Sequence, residues 1–125
     1  PAKLREQLGD HGVLSKGRDN SIAIYTAESW EQLSKTLQSL PSNKANARAI
    51  KRFYFGSAAE LEFDKQGRIL VPSALREHAE LQKDAVIIGT GDKVEIWSRE
   101  RFDAYDAEVA DSVESLAEGL EGIVL

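Results

Sequence analysis

The chain has 125 residues, 42% of them hydrophobic, and a formal net charge of −5, with no cysteine. Such a length suits one domain or two small units sharing a core, and the apolar content excludes wholesale disorder. Disulfides and thiolate metal sites are excluded, and no apolar run reaches a membrane span or reads as a signal peptide, so a cytoplasmic protein is expected.

The charge is unevenly placed. Residues 103–125 hold Asp103, Asp106, Glu108, Asp111, Glu114, Glu118 and Glu121 with no Lys or Arg, a charge of −7, which leaves the other 102 residues at +2. An acidic segment follows a mildly basic body, so the global figure does not exclude a nucleic-acid partner.

Pro1 at a first helical position predicts a short helix over 1–8. Val13-Leu14 and Ile22–Tyr25 read as short strands around a Gly/Asp/Asn loop. Thr26 caps a helix on which Trp30, Leu33, Leu37 and Leu40 recur at helical spacing, and Pro41-Ser42 breaks it. Asn43 can cap a second helix to about Phe55, with Ile50, Phe53 and Tyr54 apolar and Gly56 as its end. Ala59–Phe63 alternates as a strand, Asp64–Gly67 turns, and Arg68–Val71 returns as the second arm of a hairpin. A short helix from Pro72 follows. Val86–Ile88 and Val94–Trp97 form a further hairpin, and Ser98 opens a last helix that frays toward Gly119 and Gly122.

The chain also repeats itself. Pro1-Ala2-Lys3-Leu4-Arg5-Glu6 returns as Pro72-Ser73-Ala74-Leu75-Arg76-Glu77, an offset of 71, and Ile22–Tyr25 returns as Val94–Trp97 at an offset of 72. Glu28 and Trp30 match Glu100 and Phe102 at that second offset. The class is therefore α+β, a pseudo-symmetric tandem repeat with flanking helices. A first unit over 1–57 includes the linking helices, and a second over 58–125 ends in the acidic helix. The second unit has a hairpin just before its proline. The counterpart would precede Pro1, so the sequence reads as truncated within its first unit.

Asp64-Lys65-Gln66-Gly67-Arg68 is the segment with the clearest chemistry. Asp64 opens the turn, accepts from its backbone and orients Arg68, while Gly67 supplies a positive φ. The planar fork of Arg68 matches guanine O6 and N7, and Lys65 is a point charge suited to phosphate. Solvated hairpins show the same pattern, so the turn alone does not decide between water and DNA. A secondary basic face arises where Lys44, Arg48 and Arg52 fall at i, i+4 and i+8, with Lys51 beside them. A solvated face paired with acids of a neighbouring helix, phosphate contact, and a bridge to another subunit's acidic segment are all open there. Arg5 and Arg76 read as structural, beside Glu6 and Glu77.

Catalysis is not expected. His11 and His78 are the only imidazoles and lie outside any metal spacing, no G-x-S-x-G occurs, and Gly89-Thr90-Gly91 suits a hairpin turn better than a phosphate loop. No cofactor, metal or small-molecule substrate is expected either. Trp30, Trp97, Phe102 and Tyr105 read as core or subunit interface before any stacking platform.

The stretch LEFDKQGRILVPSALREHAELQKDAVIIGTGDKVEIWSRERF, its tandem copy, and SLPSNKANARAIKRFYFGSAAE between them together resemble the MraZ family of bacterial transcriptional regulators. The resemblance implies an AbrB-like swapped-hairpin β-barrel built from two pseudo-symmetric units. It implies closed ring homo-oligomers that bind repeated G-rich boxes in double-stranded DNA upstream of the division and cell-wall gene cluster, and hence nucleoid association. In that family a D-x-x-x-R motif in each half contacts DNA. The second falls here at Asp64 to Arg68, and the first would precede Pro1. Around a ring, one turn per subunit is enough for weak contacts to multiply. The alternative is a ring-forming assembly module that binds a protein partner, and salt-dependent DNA binding separates the two.

Overall fold

A computed structural model describes Glu6, Leu8, Gly9 and residues 11–125. Its elements run β1 (Val13–Lys16), a 3-10 turn (Arg18–Asn20), β2 (Ile22–Tyr25), α1 (Ala27–Gln38), α2 (Ala45–Ser57), β3 (Ala59–Glu60), α3 (Ser73–His78), β4 (Ala85–Gly89), β5 (Val94–Ser98) and α4 (Arg99–Glu118). The expected 1–8 helix lies mostly outside the described residues, as does Arg5. Among the described residues, no helix is long and apolar enough to cross a membrane.

The five strands form one antiparallel sheet in the order β3-β1-β2-β5-β4. Strand β2 lies at its centre, and all four of its residues are buried. Leu14, Ile22 and Ile24 are fully enclosed with Leu75, and Leu8, Leu61, Ala79 and Ile96 complete the core. Each such side chain withdrawn from water contributes roughly 1.5–3 kcal/mol before the entropy of ordering is counted.

The expected closed barrel is corrected to an open sheet. Closure requires every strand to pair on both sides. Here β3 has only two residues: Leu61 N–H still donates to Gly12 O at 2.8 Å, the next step of the β1–β3 register, and regular pairing with β1 then ends. So short an edge leaves nothing to meet β4. The same early end shortens the expected 59–63 strand to Ala59–Glu60. Past Leu61 the hairpin is held by a single bridge, Phe63 to Ile69, with Leu70 N–H donating to Glu62 O at 2.9 Å. Phe63, Ile69 and Val71 pack against the core, so the base of this hairpin is anchored, while Lys65, Gln66 and Arg68 at its tip are exposed.

The repeat is visible in three dimensions. Strand β2 pairs with β5 as Ile22 to Ile96, Ala23 to Glu95 and Ile24 to Val94. The sequence offset of 72 makes Ala23 the counterpart of Glu95, so a pseudo-two-fold passes between these two residues. Local structure obeys the same operator. Thr26 Oγ1 accepts from Ser29 N–H at 3.0 Å to cap α1, and its counterpart Ser98 accepts from Arg101 N–H at 3.3 Å to cap α4. Tyr25 meets Trp30 with ring centroids 5.5 Å apart, as Trp97 meets Phe102 at 5.6 Å.

One of the matched positions at which the halves differ links them. Ser29 stands where the second half has Arg101, which ion-pairs with Glu80 and donates from Nη2 to Asn20 Oδ1 at 3.0 Å, tying the second half to the first half's loop. Helix α2 also departs from expectation. Lys44, not Asn43, precedes its first turn, with no side-chain cap, and the helix runs through Gly56 to Ser57. Ser57 Oγ donates back to Phe53 O at 2.8 Å and accepts from Lys16 N–H of β1 at 2.8 Å, which draws the last turn onto the sheet.

Candidate nucleic-acid interface

The tip of the 61–71 hairpin is organised by one carboxylate. Asp64 Oδ1 accepts from the N–H groups of Gln66 at 2.8 Å and Arg68 at 2.9 Å, and Oδ2 accepts from Arg68 Nε at 2.7 Å. Backbone bonds close the turn: Asp64 N–H donates to Arg68 O at 2.8 Å, and Gly67 N–H to Asp64 O at 3.0 Å. Gly67 sits at φ 80°, where any side chain would be strained. The backbone hydrogen bond from Arg68, then the one from its side chain, hold the Asp64 carboxyl below its ordinary range, so it stays ionised beside the guanidinium.

The consequence for Arg68 is directional. Its Nε is engaged, its side chain is 73% exposed, and its terminal nitrogens have no partner among the described residues. The fork is therefore braced at one edge and open at the other, a pre-organised donor pair for a planar acceptor such as guanine or for a phosphate. Lys65 is exposed at the same tip. Asp64, Lys65, Gly67 and Arg68 are thus brought together in one turn, with Lys65 and Arg68 exposed. Sequence reading overlooked Gln66, whose N–H helps to lock the carboxylate. The signal was the short Asp-x-Gln spacing, an Asx-type turn.

The second basic face is separate from this tip. Lys44, just before α2, and Arg48 and Arg52 on it are exposed, and none of the three makes an ion pair among the described residues. Arg48 Nη1 donates instead to Ser42 O at 3.0 Å. His78 Nε2 donates to Gly17 O at 2.9 Å, a structural tie between the two halves.

A family profile described as "MraZ protein, putative antitoxin-like" matches the chain twice, over residues 1–53 and 54–121. The chain belongs to the MraZ family. Two consecutive matches agree with the duplication seen in the strand register. Among its relatives, a protein of Heliobacterium modesticaldum named Transcriptional regulator MraZ is 54% identical over 120 residues, covering 96% of this chain and 84% of that one. MraZ proteins of the same name from Leuconostoc mesenteroides and Desulforamulus reducens are 49% and 48% identical, each over 96% of this chain and 84% of theirs.

Proposed function

We propose that this MraZ-family chain is a sequence-specific, DNA-binding regulator of transcription, a cytoplasmic, nucleoid-associated protein and not an enzyme. It works as a closed ring of copies on repeated G-rich boxes upstream of the division and cell-wall gene cluster. The observation that carries the reading is the braced, exposed fork of Arg68 at the hairpin turn. A β-ribbon tip fits the major groove, where guanine offers O6 and N7 side by side. Asp64 fixes the approach of Arg68, Gly67 allows the tight turn, and Lys65 neutralises a phosphate. The regulator names of the relatives support the same reading. One turn gives a weak contact, and a ring presenting several turns to consecutive boxes supplies the rest by raising effective concentration.

The test is a titration of the protein against a duplex of repeated G-rich boxes and a shuffled duplex of equal composition, at two salt concentrations. The expected result is a preference for the boxes of about 10³ or more, falling with salt on both duplexes. Equal affinity for the two sequences refutes the reading. A multi-chain particle with no salt-dependent DNA binding favours the protein-binding assembly module instead.

A further inference from the structure

Helix α4 has an apolar seam that the described residues leave about half exposed. At its start Phe102 and Tyr105 pack on Trp97, with centroids 5.6 and 5.0 Å away, which fixes the helix to the sheet. Beyond them no residue of the helix is buried, and Val113, Leu116 and Leu120 are 51%, 53% and 49% exposed. Their spacing of three and four puts them on one face. All charges in 103–125 are acidic.

A groove of complementary character lies between α1 and α2. Its volume is about 510 Å³, Leu33, Leu37, Leu40 and Ile50 contribute to its apolar wall, and among the described residues the charged ones lining it are two cations, Arg18 and Lys44. Both are exposed, and Arg48 follows one turn along α2.

We propose that the Val113–Leu120 face of α4 docks in the α1–α2 groove of a second copy of this chain. The proposal rests on the ring reading and names the joint of that ring. Charge selects the occupant. Pairing α4 with another α4 sets two acidic, cation-free segments side by side, and pairing groove with groove sets cation against cation, both repulsive. Helix into groove joins opposite signs and covers apolar surface on both partners. Because the two surfaces are different patches of one chain, the contact is head-to-tail, the kind that generates a ring when its rotation closes. Salt weakens the charged part of such a joint.

Light scattering on the full chain tests this with four variants, all at exposed positions. The unsubstituted protein is expected as a multi-chain particle. Leu116→Gln with Leu120→Gln, Arg18→Glu with Lys44→Glu, and Glu118→Lys with Glu121→Lys are each expected to reduce the mass to that of one chain. Their circular dichroism should stay unchanged. Combining the last two pairs reverses both signs and is expected to recover the large particle. If the three variants keep the large mass, or the combined variant stays a single chain, the docking is overturned while the ring stands. An unsubstituted protein of single-chain mass overturns the ring and the docking together.

Discussion

Replacing Arg68 by alanine removes a guanidinium from the hairpin tip and leaves the turn closed. Asp64 Oδ1 still accepts from the two backbone N–H groups at 2.8 and 2.9 Å, and Gly67 keeps its φ of 80°. With the side chain 73% exposed, truncation uncovers little apolar surface, so fold stability should change by no more than about 0.5 kcal/mol. The DNA readout should change far more. A bidentate guanine contact is worth about 1–3 kcal/mol of discrimination. At 1.4 kcal/mol per tenfold, that is roughly 5- to 150-fold for each engaged turn, compounding where several turns bind adjacent boxes. Fluorescence anisotropy against box and shuffled duplexes gives the ratio of affinities, and light scattering confirms that particle mass is unchanged. Arg68→Lys sharpens the test, because a point charge keeps the attraction for phosphate while losing the planar fork. It should hold non-specific affinity and still lose the preference for boxes. An unchanged ratio in both variants refutes base reading by Arg68. An equal loss on both duplexes reassigns it to phosphate.

Lys65→Ala should weaken box and shuffled duplexes alike and lower the salt slope by about one contact, measured by titration across ionic strength. Ile24→Ala should destabilise by about 2–5 kcal/mol in urea unfolding, toward the upper end because β1 and β5 flank the site and limit collapse; a loss under about 1 kcal/mol counts against the core assignment. Burial, followed by the nearby Tyr54 phenol, raises the Tyr25 hydroxyl from 10.0 to about 12. The folded state thus favours its neutral form, and the stability it contributes is full below pH 10.0 and falls as pH rises toward about 12, which denaturant melts across that window would reveal. Asp64 works in the opposite sense: its carboxyl lies below the ordinary 3.8, so its contribution is present above that value and lost as pH falls through the lower folded one. Amide exchange at Gln66 and Arg68 should therefore stay slow until the pH drops below 3.8.

What could be read from the sequence was what is decided locally. Thr26 and Ser98 announce helix starts because each cap needs only a neighbour three residues on, and both form. The Asp64 turn was legible for the same reason, since its carboxylate, glycine and guanidinium lie within five residues. The misreadings share a different cause. Leu61 alternates like a strand residue and still bonds Gly12 in the β1–β3 register, but regular pairing ends there, which no local pattern announces. Gly56 looks like a helix end until Ser57 is drawn to Lys16, 41 residues away. Arg101 carries no local signal at all, because its partners Asn20 and Glu80 lie 81 and 21 residues off. The duplication itself was readable, but the pairing of β2 with β5 that turns it into a pseudo-two-fold was not. Sequence similarity says that two units are alike and nothing about which edges they share.

The seam between Ala23 and Glu95 has a further consequence. Two identical units meeting across a two-fold would ordinarily associate with a concentration-dependent equilibrium, and dilution would pull them apart. Here both units belong to one chain, so their meeting is intramolecular and insensitive to dilution. Separate genes are not needed to keep the halves matched, and each half is free to change alone. The Ser29 and Arg101 positions show such a difference: a small residue in one half, and in the other a tie to its neighbour's loop. A symmetric dimer must accept every substitution twice; this chain can specialise one face while the other stays as it was.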